Sequence, residues 1–370
     1  MLSPDAYLDL LESNWRDDYI ARQNLRDVSA TQAWSAVVDD AIFGDEWATV
    51  GQTPLLDVPS PRGGAQIKAK LEWHNPTGTV KDRVACGLVA HYLLAADAGA
   101  APRKLVEYSG GSMARALAAV CHQAGIDLTI VTLPCSPGDE FYDFLDSHGA
   151  TIRCITEQQV FLDLMTTSRS IAEAEPDRFW LFQHHNPMNA ALHEVSTGSE
   201  IVRQLDGLTP AAWVASIGTG GTLIGTARAL RRAFPDIRVV ATTPSESPYG
   251  MLGAGYNVPV YSGSGGHGWG ICQPLVRDDE DDLTHRYISK EISLSGMRHF
   301  RELTGMTIGS SAAANWVISF ELAATLDESD TVVTIFPSAG TPADLDEAFG
   351  PTQPRRVPHL VDDLLVGGLR

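Results

Sequence analysis

The most informative stretch of the chain reads Asn75-Pro76-Thr77-Gly78-Thr79-Val80-Lys81-Asp82-Arg83. Proline and glycine mark a bend in it, and Lys81 follows where a helical pattern of apolar residues begins. The apolar positions of this predicted helix are Val84, Leu88, Val89, Tyr92 and Leu93. A lysine at the mouth of a helix is placed to face a cleft and form an imine with a carbonyl group. An arbitrary lysine in such a turn is more often simply solvated, so other motifs must support the chemical interpretation.

Strands and helices are predicted to alternate along most of the chain. Apolar or alternating runs predict strands at 67–72, 104–107, 128–133, 151–155, 212–217, 237–243 and 331–336. Further helices are predicted at 113–123, 141–147, 190–204 and 223–232. This order predicts an α/β fold with parallel sheets flanked by helices.

A glycine-rich turn, Gly218-Thr219-Gly220-Gly221-Thr222, joins a predicted strand to a predicted helix. Its glycines let the backbone approach a ligand, and its N–H groups, hydroxyls and positive helix end are donors for an anion. No Walker lysine follows and no G-x-G-x-x-G is present there, which disfavours nucleotide triphosphates and dinucleotides. A tight turn without any ligand would explain the same residues, so this motif alone leaves phosphate binding open.

Composition limits the classes of partner. The chain has 370 residues, enough for two lobes with separate cores, and 44% of them are hydrophobic. The net charge of −19 argues against nonspecific binding to nucleic acid or to an anionic membrane. No signal peptide is visible at residues 1–6, and no apolar stretch is long enough to span a bilayer.

The cysteines indicate a reducing location. There are five, an odd number, and none forms a CxxC motif: Cys86, Cys121, Cys135, Cys154 and Cys272. A disulfide framework or a zinc site is therefore not expected, and the cytoplasm is the simplest location. The neighbouring His184 and His185 form no metal motif, because adjacent residues rarely share one ion.

Three motifs in this order resemble those of the cysteine synthase and cystathionine β-synthase family. They are the Lys81 stretch, the turn at 218–222, and Gly309-Ser310-Ser311-Ala312-Ala313 at the start of a helix. The family's enzymes depend on pyridoxal 5'-phosphate (PLP) and share the two-lobed tryptophan synthase β-like fold, called fold type II. The resemblance covers about 51–340 and implies that Lys81 binds PLP and acts as the catalytic base. It also implies cofactor contacts at Ser112, Gly218, Thr219, Gly220, Gly221, Thr222 and Ser310.

Two loops depart from the family pattern. The family's T-S-G-N-T, which grips the substrate carboxylate, is here Ser109-Gly110-Gly111-Ser112-Met113, so a serine replaces the asparagine. The family's G-I-G-A-G is here Gly266-His267-Gly268-Trp269-Gly270, which would narrow the cleft mouth. By the resemblance, the substrate is expected to contact Ser109, Gly110, Gly111, Met113, Gln183, His267 and Trp269.

The expected reaction is β-replacement on a β-substituted alanine through an aminoacrylate intermediate, with a small nucleophile as second substrate. A serine partner for the ring nitrogen favours reaction at the β carbon over transamination. The altered loops favour a specialised substrate over a housekeeping one. One alternative is a β-eliminating lyase of the same fold, resembling a desulfhydrase or a serine/threonine deaminase. Another is a lapsed enzyme that binds PLP and regulates a partner.

The resemblance also implies a division of the chain and a homodimer. A substrate-side lobe is expected at 75–186, and a phosphate-binding lobe at 46–74 together with 187–350. An N-terminal extension covers 1–45, either as a helix packed on the body or as a dimer arm, and a tail covers 351–370.

Overall fold

A computed structural model describes residues 26–96, 104–155, 160–175, 177–250 and 272–350. The helices of this part of the chain are α1 (Ala30–Val38), α2 (Asp45–Ala48), α3 (Lys81–Ala95), α4 (Ser112–Ala124), α5 (Glu140–Ser147), α6 (Val160–Ala174), α7 (Pro187–His193), α8 (Ser199–Gln204), α9 (Gly221–Ala233), α10 (Lys290–Thr304), α11 (Ser310–Ala323) and α12 (Pro342–Phe349). The strands are β1 (Leu55–Val58), β2 (Gln66–Leu71), β3 (Lys104–Tyr108), β4 (Asp127–Thr132), β5 (Thr151–Cys154), β6 (Arg178–Trp180), β7 (Ala212–Ser216), β8 (Arg238–Pro244), β9 (Leu283–Ile288) and β10 (Thr331–Phe336). Short 3-10 helices lie at Glu72–His74 and Arg277–Asp282.

The larger sheet has six strands in the order β1-β2-β10-β7-β8-β9. Only its outer pair, β1 and β2, is antiparallel among the described strands. Successive residues point to opposite faces: Val332 joins a core beneath α10 and α11, whereas Val333 joins a core beneath α9. Both faces are therefore buried under helices.

The smaller sheet has four parallel strands in the order β5-β4-β3-β6. Its core includes Val106 and Ile130 from the strands, Leu117 from α4 and Val89 from α3. The predicted α/β fold with parallel sheets flanked by helices is confirmed.

Helix α1 packs against the core of the smaller sheet through Ala33 and Val37. Ser29 caps it in a reciprocal pair with Gln32, which satisfies two backbone donors at the helix start. Residues 1–25, the tail 351–370, His267 and Trp269 lie outside the described residues. None of the helices within the described ranges has the length and apolar character needed to cross a bilayer.

The predicted single helix at 190–204 is divided in the structure. Helix α7 runs into a π-helical turn at Glu194–Gly198, and α8 follows directly. The wider turn brings the Thr197 hydroxyl to 2.9 Å from Nδ1 of His193. π-Helical turns of this kind are often found at functional sites.

Candidate active site

The turn before Lys81 is held by one buried amide. Asn75 accepts from the Gly51 N–H at 2.8 Å and donates to the Glu72 carboxylate at 2.8 Å and to the Thr79 carbonyl at 3.1 Å. Gly78 has a φ of 81°, a left-handed conformation that glycine adopts without strain. Lys81 is then the first residue of α3.

The end of this turn next to Lys81 is fixed beside the larger sheet. The Val80 N–H donates to the carbonyl of Pro337, just after β10, at 2.9 Å. Burial lowers the pKa of Lys81 to about 8, so more of its amine is neutral near physiological pH than in an exposed lysine. Burial raises the pKa of the neighbouring Asp82 to about 7, partly offset by hydrogen bonds from Thr77. The turn therefore places a lysine of depressed pKa at the start of a helix, facing the end of β10.

Arg83 anchors the lysine helix in a buried ion network. Its guanidinium contacts the Glu72 carboxylate at 2.7 Å and the Glu200 carboxylate at 2.8 Å. Lys70 contacts the other Glu200 oxygen at 2.8 Å. The charges of these four side chains balance, and the network connects β2, α3 and α8 behind the lysine.

The glycine loop, residues 218–222, follows β7 and opens α9. Gly220 has a φ of 89°, and a Cβ there would overlap Cγ2 of Val276. A Cβ on Gly221 would overlap Oδ1 of Asn189. Packing within the protein therefore requires glycine at these two positions.

Lys81 and the glycine loop line one cavity. Its lining comprises Val80, Lys81, Ala215, Ser216, Gly218, Thr219, Gly220, Thr222, Ile335 and Pro337. The cavity lies at the carboxyl ends of β7 and β10, where ligands of parallel sheets bind. It combines an amine of lowered pKa with an anion cradle at a helix N-terminus.

Helix α7 supports the glycine loop from behind. The Asn189 amide donates to the Thr219 hydroxyl at 3.0 Å, and Nε2 of His193 lies 3.0 Å from the Thr222 hydroxyl. Neither residue was assigned a role from the sequence. Their spacing of four residues, on one face of a helix, was the available signal.

Ser310 is the first residue of α11 and is fully buried. No atom of the described residues is in hydrogen-bonding geometry with its Oγ. Gly309 donates its N–H to the Ser338 carbonyl, and Ser338 also bridges to Thr79, so this helix start adjoins the lysine turn. Burial raises the pKa of the nearby Asp344 carboxyl to about 6, and the polar groups of Ser310 lower it in part by their proximity, although the Ser310 Oγ lies outside hydrogen-bonding geometry with it.

The 109–113 loop lies at the carboxyl end of β3. Ser109 Oγ accepts from the N–H groups of Gly111 and Ala114, each at 3.2 Å. Ser112 begins α4, and the Met113 side chain is buried in the core of the smaller sheet. Any contact of Met113 with a substrate would therefore use its backbone.

Polar side chains accumulate at the same edge of the smaller sheet. The Tyr108 hydroxyl lies 2.6 Å from Nδ1 of His184, and the two rings stack. Burial and the nearby charge of Lys81 lower the pKa of His184 to about 3. Gln183 uses its amide to donate to the Tyr108 carbonyl at 3.1 Å. A neutral histidine therefore lies near Lys81, which sequence analysis did not predict.

Comparisons with known proteins agree with this geometry. Residues 47–338 match the family model described as pyridoxal-phosphate dependent enzyme. An N-(2-amino-2-carboxyethyl)-L-glutamate synthase of Ralstonia nicotianae is 33% identical over 300 residues, covering 79% of this chain and 85% of that protein. A cysteine synthase of Staphylococcus aureus is 29% identical over 294 residues, covering 79% and 92%. The O-acetylserine dependent cystathionine β-synthase structure from Helicobacter pylori is 27% identical with a TM-score of 0.67, covering 79% and 94%.

Proposed function

Because the chain belongs to the family of pyridoxal-phosphate dependent enzymes, we propose that it joins a small nucleophile to the β carbon of a β-substituted alanine. The observation that carries this proposal is that Lys81 and the glycine loop line a single cavity. The relatives named cysteine synthase and N-(2-amino-2-carboxyethyl)-L-glutamate synthase support β-replacement.

The residues that line the cavity, together with Ser310 at the neighbouring helix start, fit the cofactor. A lysine of lowered pKa is available for its aldehyde, the N–H and hydroxyl donors of the glycine loop suit its phosphate, and the unpartnered Ser310 hydroxyl suits its ring nitrogen. When bound, PLP withdraws electrons from the α carbon of the attached amino acid. We assign Lys81, Ser310 and the glycine loop to cofactor binding on these grounds.

Lys81 is the group that moves protons. Its pKa of about 8 lets the neutral amine take the proton from the substrate α carbon and return it when product forms. A hydroxyl partner such as Ser310 does not hold a proton on the ring nitrogen as a carboxylate would. This favours loss and addition of groups at the β carbon over transamination.

We assign the substrate carboxylate to the N–H groups and hydroxyls of the 109–113 loop, near Gln183. Ser112 replaces the family's longer asparagine, and the stacked Tyr108–His184 pair adds polar groups on the same side. The replacement at Ser112 favours a specialised substrate. The Ralstonia relative's name describes an alanine unit attached to nitrogen, so an amino acid amine is tested beside sulfide.

A product assay separates the candidate functions. The purified protein with PLP is mixed with O-acetylserine, O-phosphoserine, cysteine, serine or threonine, with and without sulfide or glutamate. β-Replacement yields a new amino acid by mass spectrometry that depends on the nucleophile. Pyruvate or 2-oxobutyrate with ammonia, whether or not a nucleophile is present, would show a lyase instead. No turnover and no spectral change with any donor would support the regulatory alternative.

The two sheets are further proposed to mark the two lobes, with the larger one holding the cofactor phosphate. We also propose a homodimer, as the resemblance implies, in a reducing compartment such as the cytoplasm. None of the five cysteines, all of which lie in the described ranges, forms a disulfide, and Cys86 and Cys121 are buried. Light scattering on the purified protein tests the dimer, and a monomeric mass would contradict it.

A further inference from the structure

Both threonines of the glycine loop are contacted from behind by one helix. Asn189 and His193 lie four residues apart on α7 and reach Thr219 and Thr222 respectively, each at 3.0 Å. Asn189 and His193 are 2% and 1% exposed, so these contacts are shielded from water. Two buried side chains of α7 therefore hold the hydroxyls of the cavity, and the Asn189 amide also donates to the Gln183 carbonyl at 2.9 Å.

The direction of the first contact is fixed by chemistry. The Thr219 oxygen accepts from the Asn189 amide and, at 3.3 Å, from the N–H of Gly221. Both partners are donors, so the hydrogen of the Thr219 hydroxyl is not used by either of them. It remains available to an acceptor in the cavity that Thr219 lines.

The hydrogen bond between His193 and Thr222 has two possible directions. Each direction goes with one direction of the hydrogen bond that Nδ1 makes with Thr197 on the other side of the ring. Burial, with the charges of Lys81 and Arg83, keeps the pKa of His193 well below its ordinary value, so the ring is neutral and carries one N–H. If that hydrogen is on Nδ1, it points to Thr197, and Nε2 draws the Thr222 hydrogen away from the cavity. If it is on Nε2, Thr197 donates to Nδ1, and Thr222 keeps its hydrogen for an anion.

We propose that His193 is a positioning residue for the cofactor phosphate, donating from Nε2 to Thr222 so that the Thr222 hydroxyl donates to the phosphate. Asn189 does the same for Thr219. A phosphate offers only acceptors, and hydrogen bonds to it are charge-assisted, so it selects this arrangement. The π-helical turn contributes by placing Thr197 at 2.9 Å from Nδ1, where its hydroxyl donates. The inference rests on the cofactor and is independent of which reaction follows.

The test compares PLP with pyridoxal, which lacks the phosphate, in binding to full-length apoprotein. His193→Leu removes the donor to Thr222, and His193→Gln supplies an amide N–H in its place. Thr222→Val removes the hydroxyl through which His193 is proposed to act. The double variant His193→Leu with Thr222→Val completes a double-mutant cycle, which measures whether the two residues act through each other. Circular dichroism establishes that each variant folds.

His193→Leu is expected to weaken PLP binding by about three- to tenfold, the range for losing the one neutral hydrogen bond that orients the Thr222 hydroxyl. Pyridoxal affinity should stay within about twofold, and His193→Gln should recover most of the PLP affinity. In the Thr222→Val background, His193→Leu should add little further loss.

Equal losses for PLP and pyridoxal would overturn the proposal, because they would show a general structural role for His193. Additive losses in the double variant would overturn it as well. If His193→Leu does not fold, Thr197→Val replaces it, since it removes the donor to Nδ1 without touching the loop. It should weaken PLP binding severalfold with pyridoxal unchanged, and unaltered PLP affinity would contradict the proposal.

Discussion

Replacing Glu200 by glutamine is expected to destabilise the protein strongly. The Glu200 carboxylate accepts hydrogen bonds from Lys70, from Arg83 and, at 2.9 Å, from the N–H of Gln52. Glutamine keeps the shape but loses the charge. The buried network would then hold two cations against the single carboxylate of Glu72.

Two independent estimates give about the same loss of folding free energy for Glu200→Gln. Removing one partner of a buried ion pair costs roughly 3–5 kcal/mol, because the remaining charge stays buried without compensation. Burial alone would raise the pKa of Glu200, but hydrogen bonds and charges from Arg83 and Lys70 outweigh it and lower the pKa from 4.5 to about 2. That lowering corresponds to about 3 kcal/mol of folding stability at neutral pH.

The lowered pKa of Glu200 also determines how the stability difference between wild type and Glu200→Gln changes with pH. A carboxyl group with a depressed pKa in the folded state stabilises the protein above the unfolded pKa, near 4.5. This stabilisation is lost as the pH falls toward 2, so the difference between wild type and Glu200→Gln should narrow below pH 4.5.

Urea unfolding followed by tryptophan fluorescence measures this effect. Glu194→Gln is the matched control, because Glu194 pairs with Arg232, which is 63% exposed, and surface pairs contribute little. Glu200→Gln should lose about 3 kcal/mol at pH 7, and the control less than about 1 kcal/mol. Equal small losses in both variants would refute the reasoning.

Three further outcomes are expected. Gly221→Ala should weaken PLP binding because its Cβ would overlap Oδ1 of Asn189, and unchanged affinity in a PLP titration would contradict this packing. Uptake of PLP by apoprotein should accelerate with pH and level off above about pH 8, because burial lowers the pKa of Lys81 from 10.5 to about 8 and only the neutral amine attacks. An uptake rate that keeps rising from pH 8 to 10.5 would argue against the lowered pKa. Asp82→Asn should become more stable relative to wild type as the pH rises from 3.8 to about 7. Burial raises the pKa of Asp82 to about 7, so over this range the carboxyl ionises in the unfolded chain but stays protonated in the folded one, which favours unfolding of the wild type. A pH-independent difference in urea unfolding would count against this.

Local motifs predicted the elements that carry the site. The strand at 331–336 has its predicted bounds, and Gly125 ends α4 in the left-handed conformation expected of a capping glycine. Lys81 begins its helix as the preceding bend indicated. These features depend on residues close together in the chain, so the sequence pattern is sufficient.

Features formed between distant segments were not predictable in the same way. Glu200 lies 117 residues from Arg83, and His193 lies 29 residues from Thr222. Their pairing depends on how α7 and α8 cross behind the lysine helix. The π-helical turn that shifts these residues could not be predicted either, because its sequence has the pattern of an ordinary α-helix.

The direction of the Met113 side chain is another feature that the sequence did not predict. By alignment it replaces a hydroxyl residue of the substrate loop, but the helix that starts at Ser112 turns its side chain into the core. The sequence pattern does not show which way the first turn of a helix faces. The packing of this helix against β4 and α3 settles that.

The central claim is that Lys81 binds PLP covalently, and borohydride reduction of the PLP-loaded protein followed by peptide mass mapping tests it most directly. Reduction fixes the cofactor on the lysine that holds it. The account predicts the added mass on the peptide containing Lys81, and loss of both this mass and the visible absorption band in Lys81→Ala. Lys68→Ala, which removes a lysine paired with Asp57 on β1, is the control and should keep both. Labelling of another lysine in the wild type, or a visible band that persists in Lys81→Ala, would contradict the account.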